Sequence, residues 1–372
     1  MKLIAVTGTK GKTTTCYLIK SILEKAGKRI GMLGTIKYCL GSGQEISATL
    51  TTPLREDINK YVSAMRENGC DWGVIEVSSQ GISEGRIADL SFDIAVCTNI
   101  RPEHLEYHKT YEGYRHAKSL LFSGLRQSAI AVLNGEDGES AYLFELTKAQ
   151  IRKFGIQGRR VEMVWSGLDR SILDLKFGPV LNERVLTPIA GSWNLANISA
   201  AITAALEAGA ARSSVIKGIM VPESPVGRLE WVPVPDKLGF KVVVDYAHTP
   251  ESYRAILCFL RSFCTNKLIV VAGMAPARYR EKRPIIGRMI EAVSDMIFLT
   301  PIRPDGEDQE QIMRDICGEM QYPHRVKYHL DRATAIGQAI EAARPGDIVA
   351  LLDRGHEGEP NDVGLAMKAI HE

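Results

Sequence analysis

The chain has 372 residues, which is more than a single hydrophobic core usually serves, so we expect two or three domains. Hydrophobic residues make up 45% and charged residues 24% of the sequence, as is ordinary for soluble globular proteins. Because 46 Lys and Arg residues nearly balance 44 Asp and Glu residues, the net charge of +2 supplies no field that would attract nucleic acid or an anionic membrane.

Apolar runs and cysteines narrow the class further. The longest apolar runs, such as 268–272, have strand length and fall short of the roughly 18 residues that a membrane-spanning helix needs, so we expect no membrane protein. The sequence opens directly on a predicted strand, and we expect no secretion signal. Its seven cysteines form no Cys-x-x-Cys pair, which argues against a disulfide framework or zinc ribbon and favours the cytoplasm.

The first half of the chain alternates short Val- and Ile-rich runs with segments of helical period. These patterns predict strands at 3–6, 73–77, 94–98 and 129–133 and helices at 13–26 and 194–209. Such alternation predicts an α/β fold with a parallel, helix-covered sheet. Between 146 and 188 the helical period is lost, and short apolar runs predict a small antiparallel addition at the sheet edge.

The periodicity breaks where Pro222, Pro225 and Gly227 fall within six residues, and we expect a domain boundary there, between 1–222 and 223–372. Beyond it the alternation restarts. Strands are predicted at 241–244, 268–272, 296–300 and 347–352, and helices at 251–262, 284–293 and 309–320. This pattern predicts a second, Rossmann-like α/β domain with its own sheet.

A glycine-rich string lies between the first predicted strand and helix. Its glycines would let backbone N–H groups face phosphate oxygens, Lys12 would neutralise the terminal phosphates, and Thr13 would present its hydroxyl to Mg²⁺. The alternative, a glycine-rich turn ahead of an ordinary helix, fits poorly because Gly-Lys-Thr is correctly placed after a strand. The predicted ATP-binding residues here are Gly8, Thr9, Gly11, Lys12, Thr13 and Thr14. With this loop after its first strand, the first domain is predicted to be a P-loop ATPase-like parallel sheet.

The short form Gly-Thr-x-Gly-Lys-Thr resembles the Mur ligase family, the ATP-dependent amide ligases of cell-wall peptide synthesis, together with folylpolyglutamate synthetases. Further family motifs follow in order: Thr51-Thr52-Pro53, Glu76-Val77-Ser78-Ser79, Asn99, Glu103-His104-Leu105, Tyr114 to Phe122, Gly191 to Asn197, Gly227-Arg228-Leu229-Glu230, Asp245-Tyr246-Ala247-His248-Thr249-Pro250, Lys282-Arg283-Pro284 and Gly355-His356-Glu357. Within the family the chain most resembles the ligases that add the third residue to UDP-N-acetylmuramoyl-dipeptide.

The resemblance implies a metal site and a modified lysine. Glu76 and His104 would bind a magnesium ion, with Thr13 serving the nucleotide-bound one. In Mur ligases the lysine that matches Lys118 is carbamylated by CO₂, which turns a cation into an anion that can serve the metal. The alternative for Lys118 is a surface lysine on a helix.

The resemblance also implies the contacts to ATP. Asn197, with Asn194, would contact adenine, although one of them could instead cap the helix. Arg228 resembles the arginine that meets the γ-phosphate, and Asp245 the aspartate that binds ribose. Because both follow the first domain, ATP would couple binding to closure of a cleft.

Substrate contacts follow from the same resemblance. For the acceptor these are Thr51, Thr52, Ser79, Arg86 and His248, of which His248 could equally be a core or turn histidine. For the incoming amine they are Arg278, Arg303 and Glu357. A guanidinium can clamp an α-carboxylate, and a carboxylate can receive an ammonium.

The sequence departs from the family in the parts that recognise substrate. Full cell-wall ligases carry a uridine-binding domain before the phosphate loop, and with this loop beginning at Gly8 we expect that domain to be absent. Ile302 to Asp305 replace the diaminopimelate-recognising motif, so we expect another amine. Further replacements are Gln80 for a histidine, Ala275 and Pro276 for glycines, and Asp353-Arg354 for Gly-Lys.

These features predict an ATP- and Mg²⁺-dependent ligase that joins a small-molecule or peptide carboxylate to an amino acid through an acyl phosphate. One alternative is a partner-dependent amidotransferase-type subunit, but such relatives carry a four-cysteine zinc ribbon. Another is a non-catalytic nucleotide-binding scaffold, which would need the phosphate loop but not the metal-site residues. We expect no nucleic-acid or membrane partner.

Overall fold

The computed structural model describes residues 1–156, 158–275, 280–302 and 306–372. The chain divides into two compact units, Met1–Pro225 and Val226–Glu372. Among the described residues, no helix is long and apolar enough to cross a membrane.

The first unit is built on a mainly parallel sheet. Its strands are β1 (Lys2–Thr7), β2 (Ile30–Leu33), β3 (Lys37–Cys39), β4 (Glu45–Ser47), β5 (Trp72–Glu76), β6 (Ile94–Cys97), β7 (Ile130–Asn134) and β8 (Gln150–Phe154). They lie in the order β4-β3-β2-β5-β1-β6-β7-β8, and β3 pairs antiparallel with both of its neighbours, β2 and β4. In this register Val6 pairs with Glu76 on one side and Val96 on the other. The carboxyl ends of β1, β5 and β6 therefore meet at one edge.

Helices cover both faces of this sheet. They are α1 (Lys12–Lys25), α2 (Arg55–Glu67), α3 (Ser79–Ser83), α4 (Leu105–His108), α5 (Tyr111–Ser123), α6 (Ser140–Leu146), α7 (Asn194–Glu207) and α8 (Arg212–Met220). Alternate residues of β1 enter opposite cores: Ile4 and Val6 pack on the side of α1 and α7, and Leu3 and Ala5 on the other. The strand is buried on both faces, which is why it reads as a continuous apolar run.

The segment 146–188 differs from its prediction as an edge addition. Residues 150–154 form β8, a parallel edge strand paired with β7. The strands β9 (Arg160–Ser166), β10 (Ser171–Phe177) and β11 (Leu181–Thr187) instead form an antiparallel sheet of their own. The Val161 amide donates to Ser199 Oγ of α7 at 3.0 Å, and Leu173 and Leu175 are buried. The apolar residues of these strands pack against the face of a helix, not against the edge of the main sheet.

The second unit has a separate sheet. Its strands are β12 (Glu230–Val232), β13 (Lys241–Asp245), β14 (Leu268–Ala272), β15 (Met296–Leu299), β16 (Val326–Tyr328) and β17 (Ile348–Leu352), in the order β12-β13-β17-β14-β15-β16. Among the described residues of this unit, only β12 pairs antiparallel. The helices are α9 (Pro250–Phe263), α10 (Arg283–Val293), α11 (Gln309–Cys317), α12 (Arg332–Ala342) and α13 (Asp362–His371). The prediction of a P-loop-type α/β sheet followed by a Rossmann-like one is confirmed.

Close packing of α8 on α1 gives a test of the first core. A Cβ added at Gly218 would lie 2.6 Å from Ile22 Cα, a backbone atom that cannot move freely. We expect Gly218→Ala to lower the free energy of unfolding by about 1–3 kcal/mol in urea denaturation, although alanine favours helices.

The matched control is Gly337→Ala in α12, where an added Cβ meets nothing within 4 Å. Alanine there should stabilise by about 0.5–1 kcal/mol. If both variants behave alike, the close α1–α8 contact is not as described.

Candidate functional site

The loop between β1 and α1 takes a shape that its two glycines permit. Gly8 has φ 145° and Gly11 has φ 85°, in the region that favours glycine. A Cβ on Gly8 would lie 1.9 Å from Thr98 Oγ1, and one on Gly11 would lie 2.0 Å from Asn197 Oδ1. The loop therefore lies tightly between β6 and α7, as a cradle that side chains on its glycines would fill.

Residues after β6 hold the loop through hydrogen bonds that sequence reasoning missed. Thr98 Oγ1 donates to the Lys10 carbonyl at 2.6 Å. Asn99 accepts from the Lys10 amide at 3.0 Å and donates to its carbonyl at 3.1 Å. The only signal in the sequence was the position of these polar residues after a buried strand.

A second group of contacts fixes the first half of the loop. Thr9 Oγ1 lies 2.8 Å from Tyr114 Oη and accepts from the Arg101 amide at 2.8 Å. Lys10 forms an ion pair with Glu103 at 3.0 Å. The loop is therefore tied to the segment between β6 and α5, which contains His104, and to α5 itself, which contains Lys118.

The two residues that open α1 point to different partners. Lys12 Nζ donates to the carbonyls of Gly8 and Thr9, at 2.9 and 3.2 Å, so its ammonium stays against the loop. Thr13 Oγ1 donates to Glu76 Oε2 at 3.0 Å. Thr14 follows in the same first turn, half-buried.

Glu76 is fully buried at the carboxyl end of β5. Besides Thr13, its carboxylate accepts from the amide of Thr35 at 3.1 Å and from its hydroxyl at 2.9 Å. Thr35 Oγ1 lies 3.1 Å from Thr51 Oγ1. One carboxylate and several hydroxyls are the hard oxygen donors that Mg²⁺ prefers, so this group fits that ion. Sequence reasoning missed Thr35.

Lys118 is buried, with 1% of its surface exposed, so the surface-lysine alternative is wrong. Its Nζ donates to Gly8 O at 3.0 Å and to Thr7 Oγ1 at 3.2 Å, and lies 4.9 Å from the centroid of the Tyr114 ring. Burial, reinforced by the nearby Lys12 charge, lowers the pKa of Lys118 to about 7. A large uncharged fraction of this amine therefore exists near neutral pH.

His104 precedes α4 in a left-handed backbone conformation, with φ 55°. Its side chain keeps 46% of its surface exposed, and desolvation by the atoms packed around the ring lowers its pKa to about 4, so the imidazole is neutral at physiological pH. Its ring centroid lies 6.4 Å from that of Tyr114. In the described part of the chain, no three His, Cys, Asp or Glu side chains cluster as a metal site. A magnesium ion here would depend on hydroxyl, phosphate or water oxygens as well.

The predicted acceptor residues of the first unit gather around the end of β5. Thr52 Oγ1 donates to the Glu76 carbonyl at 2.9 Å, and Arg86 Nη1 donates to the Thr52 carbonyl at 2.7 Å. Ser79 Oγ lies 3.0 Å from His108 Nε2. The structure thus brings these residues, together with Thr51, to the same edge as the phosphate loop.

The two asparagines of α7 interact with each other. Asn197 Nδ2 donates to Asn194 Oδ1 at 3.0 Å, and Asn194 Nδ2 donates to the Ala190 carbonyl at 2.8 Å. Trp193 occupies the N-cap position, so the capping alternative is wrong. Both side chains are buried, and the Asn197 amide packs on Gly11 of the loop.

In the second unit, Tyr246 is the centre of the predicted residues, although it was not itself predicted. The Arg228 guanidinium lies 4.3 Å from the centroid of the Tyr246 ring, and the Tyr246 hydroxyl donates to Glu357 Oε1 at 2.8 Å. His248 Nδ1 lies 2.7 Å from the Tyr246 carbonyl, which places His248 in the turn before α9.

Asp245 lies at the end of β13 and accepts from the Leu229 amide at 2.8 Å. Leu229 has φ 46°, an unusual conformation for its type. The predicted contacts Arg278 and Arg303 lie outside the described residues.

A phosphate loop with a buried carboxylate beside its threonine defines a P-loop nucleotide-binding protein. Residues 6–205 match the Mur ligase middle domain, and residues 227–352 match the Mur ligase, glutamate ligase domain. The chain belongs to the Mur ligase family, and it is an ATP-dependent, ADP-forming acid–amino-acid ligase. The prediction of a ligase is confirmed, and the comparisons lend nothing to the amidotransferase or scaffold alternatives.

Relatives and solved structures agree on this family. The UDP-N-acetylmuramoyl-L-alanyl-D-glutamate–2,6-diaminopimelate ligases of Synechocystis and Geobacillus thermodenitrificans are both 34% identical to this chain. The alignments cover 96% of this chain and 71% and 74% of those proteins. A solved structure of a ligase with that same name is 28% identical, with a TM-score of 0.67, covering 100% of this chain and 78% of that one. Mycobacterium tuberculosis folylpolyglutamate synthase, 17% identical, shares the fold with a TM-score of 0.76, covering 100% and 91%.

The buried amine of Lys118 predicts a pH-dependent stability. Between about pH 7 and pH 10.5 the unfolded chain holds a proton on this lysine that the folded chain lacks, so this residue makes stability rise with pH. Lys118→Met removes the titration. The unfolding free energy of the wild type, minus that of the variant, should increase by about 2 kcal/mol between about pH 7 and pH 9.

Urea denaturation in bicarbonate-free buffer measures this difference. A difference that stays constant with pH would show that the folded lysine keeps its ordinary pKa.

Proposed function

We propose that this protein uses ATP and Mg²⁺ in the cytoplasm to convert a substrate carboxylate into an acyl phosphate, which an amino-acid amine then attacks. The observation that carries the proposal is the meeting of Thr13, Glu76 and Lys118 around the phosphate loop. A merely nucleotide-binding protein would need the loop and a carboxylate for its magnesium, but it would gain nothing from a buried amine beside them.

The charges of the reaction explain these groups. The carboxylate oxygen attacks the γ-phosphorus, the bond from that phosphorus to the ADP oxygen breaks, and two anions must approach each other. Lys12 at the start of α1 would neutralise the γ-phosphate. Magnesium, when bound, would withdraw charge from the phosphoryl oxygens. Thr13 and Glu76 would hold it, with neutral His104 nearby.

Lys118 fits the role of a carbamate. Carbamylation requires an uncharged amine, because the nitrogen lone pair attacks CO₂ and releases a proton. The lowered pKa of Lys118 supports this chemistry at neutral pH. The resulting anion would replace a buried amine with a group that can serve the metal.

Other residues would bind the rest of the nucleotide. Asn197, held by Asn194 against the loop, would contact adenine. Arg228 would meet the γ-phosphate and Asp245 the ribose. Stacking of the Arg228 guanidinium on Tyr246 would orient it without neutralising its charge.

The relatives suggest the class of substrate. Their names describe addition of 2,6-diaminopimelate to UDP-N-acetylmuramoyl-L-alanyl-D-glutamate. We propose a peptide carboxylate as acceptor, contacted by Thr51, Thr52, Ser79, Arg86 and His248. The amine would bind near Arg278, Arg303 and Glu357. Because Ile302 begins a segment that lacks the polar groups expected for diaminopimelate, the preferred amine would be a different amino acid.

Lys12→Ala tests the nucleotide site. This variant should lose ATP-dependent phosphate release, measured with a panel of peptide carboxylates and amino acids, by at least about a hundredfold, because Lys12 is the cation proposed to meet the γ-phosphate, whereas Lys10 is paired with Glu103 and Lys118 is proposed to be a carbamate. Lys25→Ala, an exposed lysine at the other end of the same helix, is the control and should behave like the wild type. Normal turnover by the Lys12 variant would refute the assignment.

Carbon dioxide tests the role of Lys118. Activity should fall in CO₂-depleted buffer and recover when bicarbonate is added, because the carbamate forms reversibly. The Lys118→Ala variant should be inactive and indifferent to bicarbonate. Full wild-type activity without CO₂, together with an unmodified Lys118 by mass spectrometry of the native protein, would contradict this role.

A further inference from the structure

A second polar cluster lies at the carboxyl edge of the sheet in the second unit, around Asp353, the residue that follows β17. Asp353 is buried, with 5% of its surface exposed. Its Oδ2 accepts from the hydroxyl of Tyr253, a fully buried residue of α9, and from the Gly273 amide at 3.3 Å. One carboxylate therefore joins α9, β14 and β17.

The backbone at Asp353 is held in a conformation that costs free energy. Its φ of 79° lies in the left-handed region, where a glycine would carry no strain and where the resemblance to the family leads us to expect glycine. An aspartate persists at such a position when its side-chain contacts offset the strain. The contacts to Tyr253 and Gly273 are the ones present.

The next residue fixes the opposite side of the same segment. Arg354 Nη1 lies 3.6 Å from Asp362 Oδ1 at the start of α13, and its guanidinium packs on Gly358, where a Cβ would lie 1.5 Å from Nη2. Asp362 also receives two hydrogen bonds from Arg332, at 2.8 and 2.5 Å. Asp353 and Arg354 thus anchor both sides of the segment that leads to Glu357.

Through Gly273, the Asp353 carboxylate is connected to the loops that follow β14 and β15. Gly273 opens the loop after β14, and a Cβ on it would lie 2.1 Å from the Thr300 carbonyl and 3.1 Å from Ile302 Cγ1. The connections after β14, β15 and β17 are therefore in contact through Gly273. Open α/β sheets bind their ligands at this carboxyl edge.

We propose that Asp353 is a positioning residue for the amine substrate, which fixes residues 273–275 after β14 and residues 355–357 after β17 beside the proposed amine site. The inference rests on the proposed function. It gives Asp353 no contact with substrate, and it predicts an effect on the KM for the amine with little effect on the KM for ATP.

The test compares Asp353→Gly, which removes the carboxylate and the strain, with Asp353→Asn, which keeps an acceptor oxygen. The amine used is the amino acid that the wild type ligates best in the phosphate-release panel. Asp353→Gly should raise the KM for this amino acid by at least about tenfold, with the KM for ATP within about twofold of wild type. The KM for the amine should stay close to the wild-type value in Asp353→Asn. In Tyr253→Phe it should lie between the values of the wild type and of Asp353→Gly.

Asp347→Gly is the matched control for a purely structural role. Asp347 is a buried carboxylate at the opposite end of the same strand, where it accepts from the amides of Lys267 and Arg344, each at 2.8 Å. Its loss should lower stability without changing the KM for the amine. If both Asp353→Gly and Asp347→Gly lower stability while the KM for the amine stays at the wild-type value in each, the positioning role is overturned.

Hydrogen exchange of the full chain, followed by mass spectrometry, tests the inference even if no amine is ligated. Asp353→Gly should speed exchange at 273–275 and 355–357, and Asp353→Asn should not. Unchanged exchange in both segments overturns the inference, whereas faster exchange in a chain that ligates no amine would refute only the proposed function.

Discussion

The central position of β1 in its sheet is the constraint on which the nucleotide site depends. Because Val6 pairs with Glu76 on one side and Val96 on the other, the segments that follow three parallel strands must leave the sheet at one edge. The phosphate loop then has Glu76 beside its threonine and Thr98 beneath Gly8. A slip of one residue in either pairing would turn these side chains to the other face of the sheet.

The carboxyl edge of this sheet holds two buried ionisable side chains. Glu76 and Lys118 are both buried within hydrogen-bond distance of the loop or its threonine, an arrangement that costs stability unless partners compensate for it. Thr13 and Thr35 satisfy the carboxylate, whereas the amine responds with a lowered pKa. The same desolvation that penalises the lysine cation gives it the uncharged form that carbamylation needs, so stability and chemistry are linked at one residue.

Local signals in the sequence predicted the phosphate loop and the long buried strands β1, β5–β7, β13–β15 and β17, but not the short strands β2–β4, β12 and β16. Long-range contacts account for much of what these signals missed. Strand 268–272 matches β14 residue for residue because a fully buried strand reads as an apolar run. Thr35, Thr98 and Tyr246 could not be assigned in this way, since each acts through a partner distant in sequence or by stacking. The burial of Lys118 was invisible for the same reason, as its helix also carries exposed residues such as Leu120.

The central claim is that the phosphate loop and Glu76 together form one magnesium–nucleotide site. Equilibrium binding of ATP to the wild type and to Glu76→Gln, with and without Mg²⁺, measures this most directly. The account predicts that Mg²⁺ tightens ATP binding to the wild type by at least about tenfold and that most of this gain is lost in the variant, whose metal-free binding is unchanged or stronger because a negative charge near the phosphates is gone. An equal Mg²⁺ dependence in both proteins would contradict it.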